Sequence, residues 1–306
     1  MGLDIRVMGV GGRGNNSIYS LVKLGIEGVE FIAVDSHPGD LKNCPADSSL
    51  FIGENTSGSF NPKNPRLGRK FARENSDEIS QAISGADLLF IMAGMGWTTG
   101  TGAAPVIAEI AREEGIFTIA AVTIPISCEG ENCLKNAREG INKLRDKVDA
   151  LFVASNDRMA ETMAEGTTCY RVFKSVEEVI AQGVNSILEL ADEKIELEEL
   201  NSILSRCEEA RIGTAKVSGE GAAQKAAGRA LESPLFEPDR IDSLKEVIVH
   251  ISSENYISKQ EMAETLEVIK DRLPADATIT YSQTLSPENK KTVRVTTIGT
   301  FSKGRN

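Results

Sequence analysis

Three threonines and four glycines are interleaved in Gly94-Met95-Gly96-Trp97-Thr98-Thr99-Gly100-Thr101-Gly102. The chemistry such a run offers is the binding of an anion. Glycines let the backbone come close, peptide N–H groups point inward, and a following helix N-terminus adds partial positive charge. Thr98, Thr99 and Thr101 can add hydroxyl donors. A second small-residue run, Gly11-Gly12-Arg13-Gly14-Asn15-Asn16, stands near the start. A tight turn between a buried strand and its helix needs the same glycines, so one such loop decides little. Two in one chain, with the threonines, point to phosphate. Neither ends in the G-K-[ST] of a P-loop. Gly9, Gly11 and Gly14 match G-x-G-x-x-G only if Gly12 is ignored, with Asp35 following the next strand. A nicotinamide site is therefore an alternative, one that leaves the second loop unexplained. Two histidines, His37 and His250, argue against a histidine-rich metal site. Five cysteines without C-x-x-C spacing read as reduced thiols of a cytoplasmic protein.

The elements that must hold these loops are legible from apolar spacing. Leu88–Met92 is a run of strand length, and Val106, Ile107, Ile110 and Ala111 fall at helical spacing after the threonine-rich loop. Ile5–Val10 and Val29–Val34 are strands around the first loop, with a helix carrying Ile18, Leu21 and Val22 between them. Residues 53–68 read as a long surface loop, followed by a helix to about Ser84. Phe117–Thr123 and Ala150–Ala154 are further strands, with a helix to about Lys147 between. This alternation predicts a doubly wound parallel sheet, with ligand loops at the carboxyl ends of its strands. Val176, Val179, Ile180, Val184, Ile187 and Leu188 mark a long buried helix. The remainder differs: a small-residue helix from Ala222 to Leu231, strands at Val247–Ser252, Ala277–Gln283 and Val293–Phe301, and a helix over Lys259–Arg272. It reads as a separate α+β domain.

The chain has 306 residues, 41% of them hydrophobic and 26% charged, with a net charge of −11. That balance fits a core of ordinary size and argues against nucleic acid or an anionic membrane as the main partner. No apolar run approaches the roughly 20 residues of a membrane span.

The order of these pieces resembles the tubulin/FtsZ family of cytoskeletal GTPases, on the FtsZ side, over nearly the whole chain. Met8 to Asn16 is similar to the family's first nucleotide loop. Asn64-Pro65-Arg66-Leu67-Gly68 is similar to its N-P-x-x-G segment, and Gly94–Pro105 to its G-M-G-G-G-T-G-T-G-A-A-P signature. Pro125 to Gly130 resembles P-F-x-F-E-G, Asn156-Asp157 resembles P-N-D, and Phe173 to Gly183 resembles the start of the central helix. The resemblance implies a GTPase domain over 1–174, a central helix and shortened catalytic loop region over 175–204, and a C-terminal domain over 205–306. It implies that Gly11, Gly12, Gly14, Asn15, Gly96, Thr99, Gly100, Thr101 and Gly102 line the phosphates of GTP or GDP. Mg²⁺ would accompany GTP. Glu129 would meet the ribose, Asn156 and Glu177 would read guanine, and Phe173 would stack on it. Taken alone, Phe173 reads as a core aromatic and Glu177 as a solvated charge; the resemblance reverses both. The two are four apart and share one helix face, and a carboxylate can accept guanine's adjacent N1–H and N2–H₂ donors together.

Three departures from the family pattern touch the phosphates or the chemistry. Trp97 and Thr98 stand where the family has two glycines, and a position that needed positive φ would be strained by threonine. Cys133 replaces an arginine four residues after Glu129. Glu196 and Glu199 align with the two aspartates of the N-x-D-x-x-D loop, which the family inserts into the next subunit's site; taken alone, they read equally as a solvated helix face. The expectation is a divergent guanine-nucleotide-binding protein that self-associates as a dimer or protofilament and hydrolyses weakly or not at all. It would act in cell division or in membrane and cell-shape organisation, meeting the membrane only indirectly, since no adaptor-docking peptide follows the final strand. The alternatives are an active GTPase using Glu196 and Glu199 in trans, and a scaffold that kept the fold without nucleotide.

Overall fold

The computed structural model describes residues 3–53, 63–193, 197–204, 209–286 and 291–301. Contacts divide the chain between Glu178 and Val179 into two units.

The first unit opens with β1 (Ile5–Val10), α1 (Gly11–Lys23), β2 (Val29–Asp35), α2 (Pro38–Leu41), β3 (Ser48–Phe51), α3 (Pro65–Glu74) and α4 (Ser76–Ile83). It continues with β4 (Leu88–Gly94), α5 (Thr98–Glu113), β5 (Phe117–Ile124), α6 (Glu131–Arg145), β6 (Ala150–Ser155), α7 (Asn156–Glu161) and the start of α8 (Cys169–Glu193). Its strands lie in the order β3-β2-β1-β4-β5-β6, all parallel. Helices cover both faces of such a sheet, so its central strands are apolar without alternation, and every residue of β4 is buried. A core including Val10, Ile32, Phe71, Ile91, Ile107 and Leu144 joins the sheet to α3, α5 and α6.

The second unit takes the rest of α8, then α9 (Leu197–Leu204), β7 (Glu209–Ser218), α10 (Ala222–Leu231), β8 (Leu244–Ser253), α11 (Lys259–Lys270), β9 (Thr278–Leu285) and β10 (Thr292–Phe301). β10 pairs antiparallel with both β7 and β8, and β8 pairs parallel with β9. The alanines of α10 let it lie directly on the sheet: a Cβ added at Gly213 would come within 1.9 Å of the Ala230 carbonyl oxygen. Ser258 caps α11 by accepting from the Glu261 amide, while Glu261 accepts from the Ser258 amide, a capping box that satisfies two otherwise orphaned donors. Among the described residues no helix is long and apolar enough to cross a membrane.

Several boundaries differ from the spacing-based reading. The glycine-threonine stretch is not a loop: α5 starts at Thr98 rather than near Val106. Its first two turns are buried, and tertiary packing outweighs the poor helix propensity of glycine and threonine. The helix expected to run to Ser84 breaks at Asn75, whose side-chain amide donates to the Phe71 carbonyl. The central helix begins at Cys169, before the first periodic residue, Val176. The edge strand β3 has no apolar alternation to announce it.

Candidate functional site

The two small-residue segments are strand-to-helix junctions on adjacent parallel strands, β1 and β4. At the first, the backbone passes from extended Val10 through Gly11, at φ 76°, into α1; only glycine adopts that conformation freely. The junctions touch: a Cβ at Gly11 would stand 3.0 Å from the Gly100 amide nitrogen and 3.2 Å from the Thr99 Cβ. Between them opens a cavity of about 650 Å³ whose lining includes Gly11, Gly12, Gly94, Thr98, Thr99 and Gly100. Neither α1 nor α5 carries an acid in its first turn. Two helix N-termini thus direct partial positive charge at one space, which Asp35 and Asp40 also line.

The threonine oxygens brace these walls. Thr98 Oγ1 accepts from the Asn64 amide at 2.9 Å, and Thr101 Oγ1 accepts from the Gly96 amide at 2.7 Å. Thr99 Oγ1 lies 2.6 Å from Ser36 Oγ and donates to Asp35 Oδ1 at 3.3 Å. Asp35 also accepts from Asn15 Nδ2 at 3.4 Å. Burial pushes the Asp35 carboxyl up to about 6, against the pull of the His37 amide.

Gly14, Asn15, Gly96, Thr101 and Gly102 stand behind the cavity. A Cβ at Gly14 would meet the Met92 carbonyl oxygen at 2.2 Å, and one at Gly102 would meet that of Pro65 at 2.2 Å. Gly14 therefore seats α1 on β4, and Gly102 seats α5 on α3. Asn156 is buried and donates to the Ile124 carbonyl at 2.6 Å, tying the end of β6 to β5.

The concern over Trp97 and Thr98 resolves in the backbone. The positive φ of this junction, 104°, falls on Gly96, while Trp97 is extended and Thr98 is the first helical residue. Neither is strained. The Trp97 indole N–H donates to Glu129 Oε2 at 2.7 Å, and Lys63 Nζ sits 5.1 Å from the indole centre. Cys133, buried, packs its sulfur against Gly96.

A cation comes instead from Arg13 in the first turn of α1. Its guanidinium carbon lies 3.6 Å from the centre of the Phe173 ring, and its Nη2 is 3.4 Å from Glu129 Oε1. The signal was one long side chain among residues with almost none. Glu177 follows Phe173 by one turn of α8. Burial pushes its carboxyl up to about 7, with the Arg13 charge and an Asn16 side-chain hydrogen bond pulling the other way. Glu196 lies outside the described residues, as does the side chain of Glu199 on α9. Among the described residues, no three of His, Cys, Asp and Glu are grouped to hold a metal ion.

Residues 4–164 match the family model for the GTPase domain of the Tubulin/FtsZ family, and residues 208–302 match that for the C-terminal domain of the FtsZ family. The fold is similar to an empty FtsZ dimer of M. jannaschii at 33% identity and a TM-score of 0.89, covering 98% of this chain and 88% of that one. It is also similar to CetZ2 from Haloferax volcanii, a GTPγS-bound protofilament, at 18% identity and a TM-score of 0.81, covering 99% and 95%. The GDP-bound monomer of CetZ1 from the same organism stands at 20% identity and 0.82, covering 99% and 95%. Two glycine junctions converging on one cavity, the matches over both parts of the chain, and the FtsZ likeness at this identity lead to one conclusion: the chain belongs to the tubulin/FtsZ family.

Proposed function

We propose that this protein binds guanine nucleotide between its two glycine junctions, self-associates, and turns over GTP weakly or not at all. The observation that carries the reading is the approach of Gly11 to Thr99 and Gly100, which brings two helix N-termini to one cavity. Phosphates fit there, with Mg²⁺ accompanying GTP. Phe173 offers a stacking face, worth about 1–3 kcal/mol for a base, and Glu177 offers the paired acceptor that guanine's N1–H and N2–H₂ require. Weak turnover follows from three residues. Glu196 and Glu199 are each a methylene longer than the aspartates they align with, and Cys133 brings no cation. An ångström of misplacement costs about a hundredfold. Self-association is supported by the dimeric FtsZ and the CetZ2 protofilament among its structural neighbours. The family matches at 4–164 and 208–302 support functional parts at 1–174 and 205–306, joined through 175–204. The setting we infer is the cytoplasm, in cell division or cell-shape organisation.

Calorimetry with GDP and GTP tests the first step; no heat and no nucleotide extracted from purified protein would count against it. Phosphate release measured against protein concentration tests the second. Release that rises faster than linearly, and collapses in Glu199→Gln, would establish an active GTPase working in trans. A second reading, a scaffold that kept the fold without nucleotide, is favoured by Arg13 lying on the face of Phe173; silence in both assays selects it.

A further inference from the structure

The groups that would hold base and ribose already have an occupant. Arg13 lies 3.6 Å from the Phe173 ring centre, the separation of a stacked base. Its charge acts on Glu177 one turn further along. Its Nη2 reaches Glu129 Oε1, which also accepts from the Ile126 amide at 3.1 Å, while Glu129 Oε2 takes the indole N–H of Trp97. Of the four side chains expected at base and ribose, one guanidinium thus engages Phe173 and Glu129 by contact and Glu177 by charge, while Asn156 is held by the Ile124 carbonyl. Its neighbours Gly11, Gly12 and Gly14 have no side chain, so nothing of similar length competes for that position. A guanidinium is planar and carries its N–H donors in that plane, as guanine does along its N1–N2 edge.

We infer that Arg13 is an internal competitor for the base subsite: in the ligand-free protein its guanidinium holds the place on Phe173, one turn of α8 before Glu177, that the base takes on binding. The inference rests on the guanine-nucleotide reading and adds a determinant of affinity to it. The phosphate cavity between Gly11-Gly12 and Gly100 stays open, so the phosphates can settle while the base waits on Arg13. The apparent dissociation constant is then the intrinsic one divided by the fraction of molecules with Arg13 displaced. The Arg13 and Glu129 side chains are 26% and 10% exposed, and a cation over a ring is held more tightly as it loses water. A displaced fraction on the order of a tenth follows, and removing the side chain tightens GDP binding about tenfold.

The test uses the full chain and GDP. In ligand-free wild type, NMR shows the Arg13 Hδ resonances moved upfield by the ring current, and Phe173→Leu abolishes the shift. By calorimetry, Arg13→Ala binds GDP about tenfold more tightly than wild type. Arg13→Lys keeps the charge without the plane and follows Arg13→Ala. No ring-current shift in the wild type overturns the proposal. So does Arg13→Ala binding equally or more weakly while the wild type binds GDP, which leaves the nucleotide reading standing. Arg13→Lys matching the wild type assigns the effect to charge and overturns the stacking competition. GDP bound by neither the wild type nor any variant overturns both readings.

Discussion

Glu177 is held at a cost that its proposed part in reading guanine would explain. Burial lifts its carboxyl from 4.5 to about 7, so the folded chain keeps a proton that the unfolded chain releases. Stability from this group is complete below about pH 4.5 and is lost as pH rises through 7, a loss on the order of 3 kcal/mol by pH 8. Glu177→Gln is therefore expected to raise the melting temperature of the ligand-free protein at pH 8 and to change it little at pH 5. Guanine needs the ionised form. GDP affinity should fall about tenfold between pH 8 and pH 6, where only about a tenth of the carboxyl stays charged, and the Glu177→Gln variant should lose that pH dependence. Calorimetry at the two pH values checks it; an unchanged affinity would remove Glu177 from the site. Gly12 offers the complementary case. A Cβ there finds only Asp40 Oδ2, at 3.9 Å, so Gly12→Ala should melt like the wild type yet bind GDP more than tenfold more weakly, by bulk facing the phosphates. At this scale the sequence shows residue types but not directions. The glycines of both junctions are visible in it. Whether a glycine lines the cavity, as Gly12 does, or meets a neighbouring helix, as Gly102 does, depends on a partner distant in sequence. The place of Arg13 is not legible for the same reason: the Phe173 it lies on is 160 positions away.

The elements obey a simpler rule, because burial on both faces writes apolar runs into parallel strands and amphipathic spacing into their helices. Strands β1, β2, β4, β5 and β6 are legible to within a residue or two, as are β9 and β10, while β8 starts three residues before the expected Val247. What spacing cannot show is a helix whose first turns are made of small polar residues, as in α5. There the helix is imposed by contact. Gly102 meets the backbone of α3 at Pro65 and Arg69, and Gly100 meets the Gly94 carbonyl, which a Cβ would approach to 2.4 Å. Gly102→Ala is therefore a packing experiment. The added methyl would stand 2.2 Å from a main-chain oxygen that cannot rotate away, so α3 must shift. Overpacking of this kind costs about 1–3 kcal/mol. Urea denaturation should show a lower midpoint with an unchanged slope, and GDP binding should weaken as Thr98, bonded to the Asn64 amide at the start of α3, loses its anchor. A midpoint equal to that of the wild type would mean that α3 yields freely.

Taken whole, the molecule carries a net charge of −11, and self-association must bring two such charges together. Its sign is not uniform. A groove of about 1360 Å³ is lined by Arg66 and Arg69 of α3, by Lys135 and Lys143 of α6, by Lys147 just beyond that helix and by Pro105 of α5, with Glu139 and Asp146 the acids among them. Lys147 is paired with Glu109 at 2.6 Å. If two copies meet through surfaces of ordinary composition, the repulsion between net charges governs, and screening favours assembly. The Debye length shortens from about 10 Å at 0.1 M salt to 3 Å at 1 M. Sedimentation with GTP should then show more assembly at 0.3 M than at 0.05 M potassium chloride, because repulsion opposes association without contributing to its specificity. The opposite trend would mean that complementary patches dominate. The basic groove would be the first place to look, and Lys135→Glu with Lys143→Glu should abolish assembly at low salt. Under the first outcome the same pair of substitutions lowers the net charge of each copy by four and shifts assembly to still higher salt. The two mechanisms therefore separate on whether added salt rescues the variant.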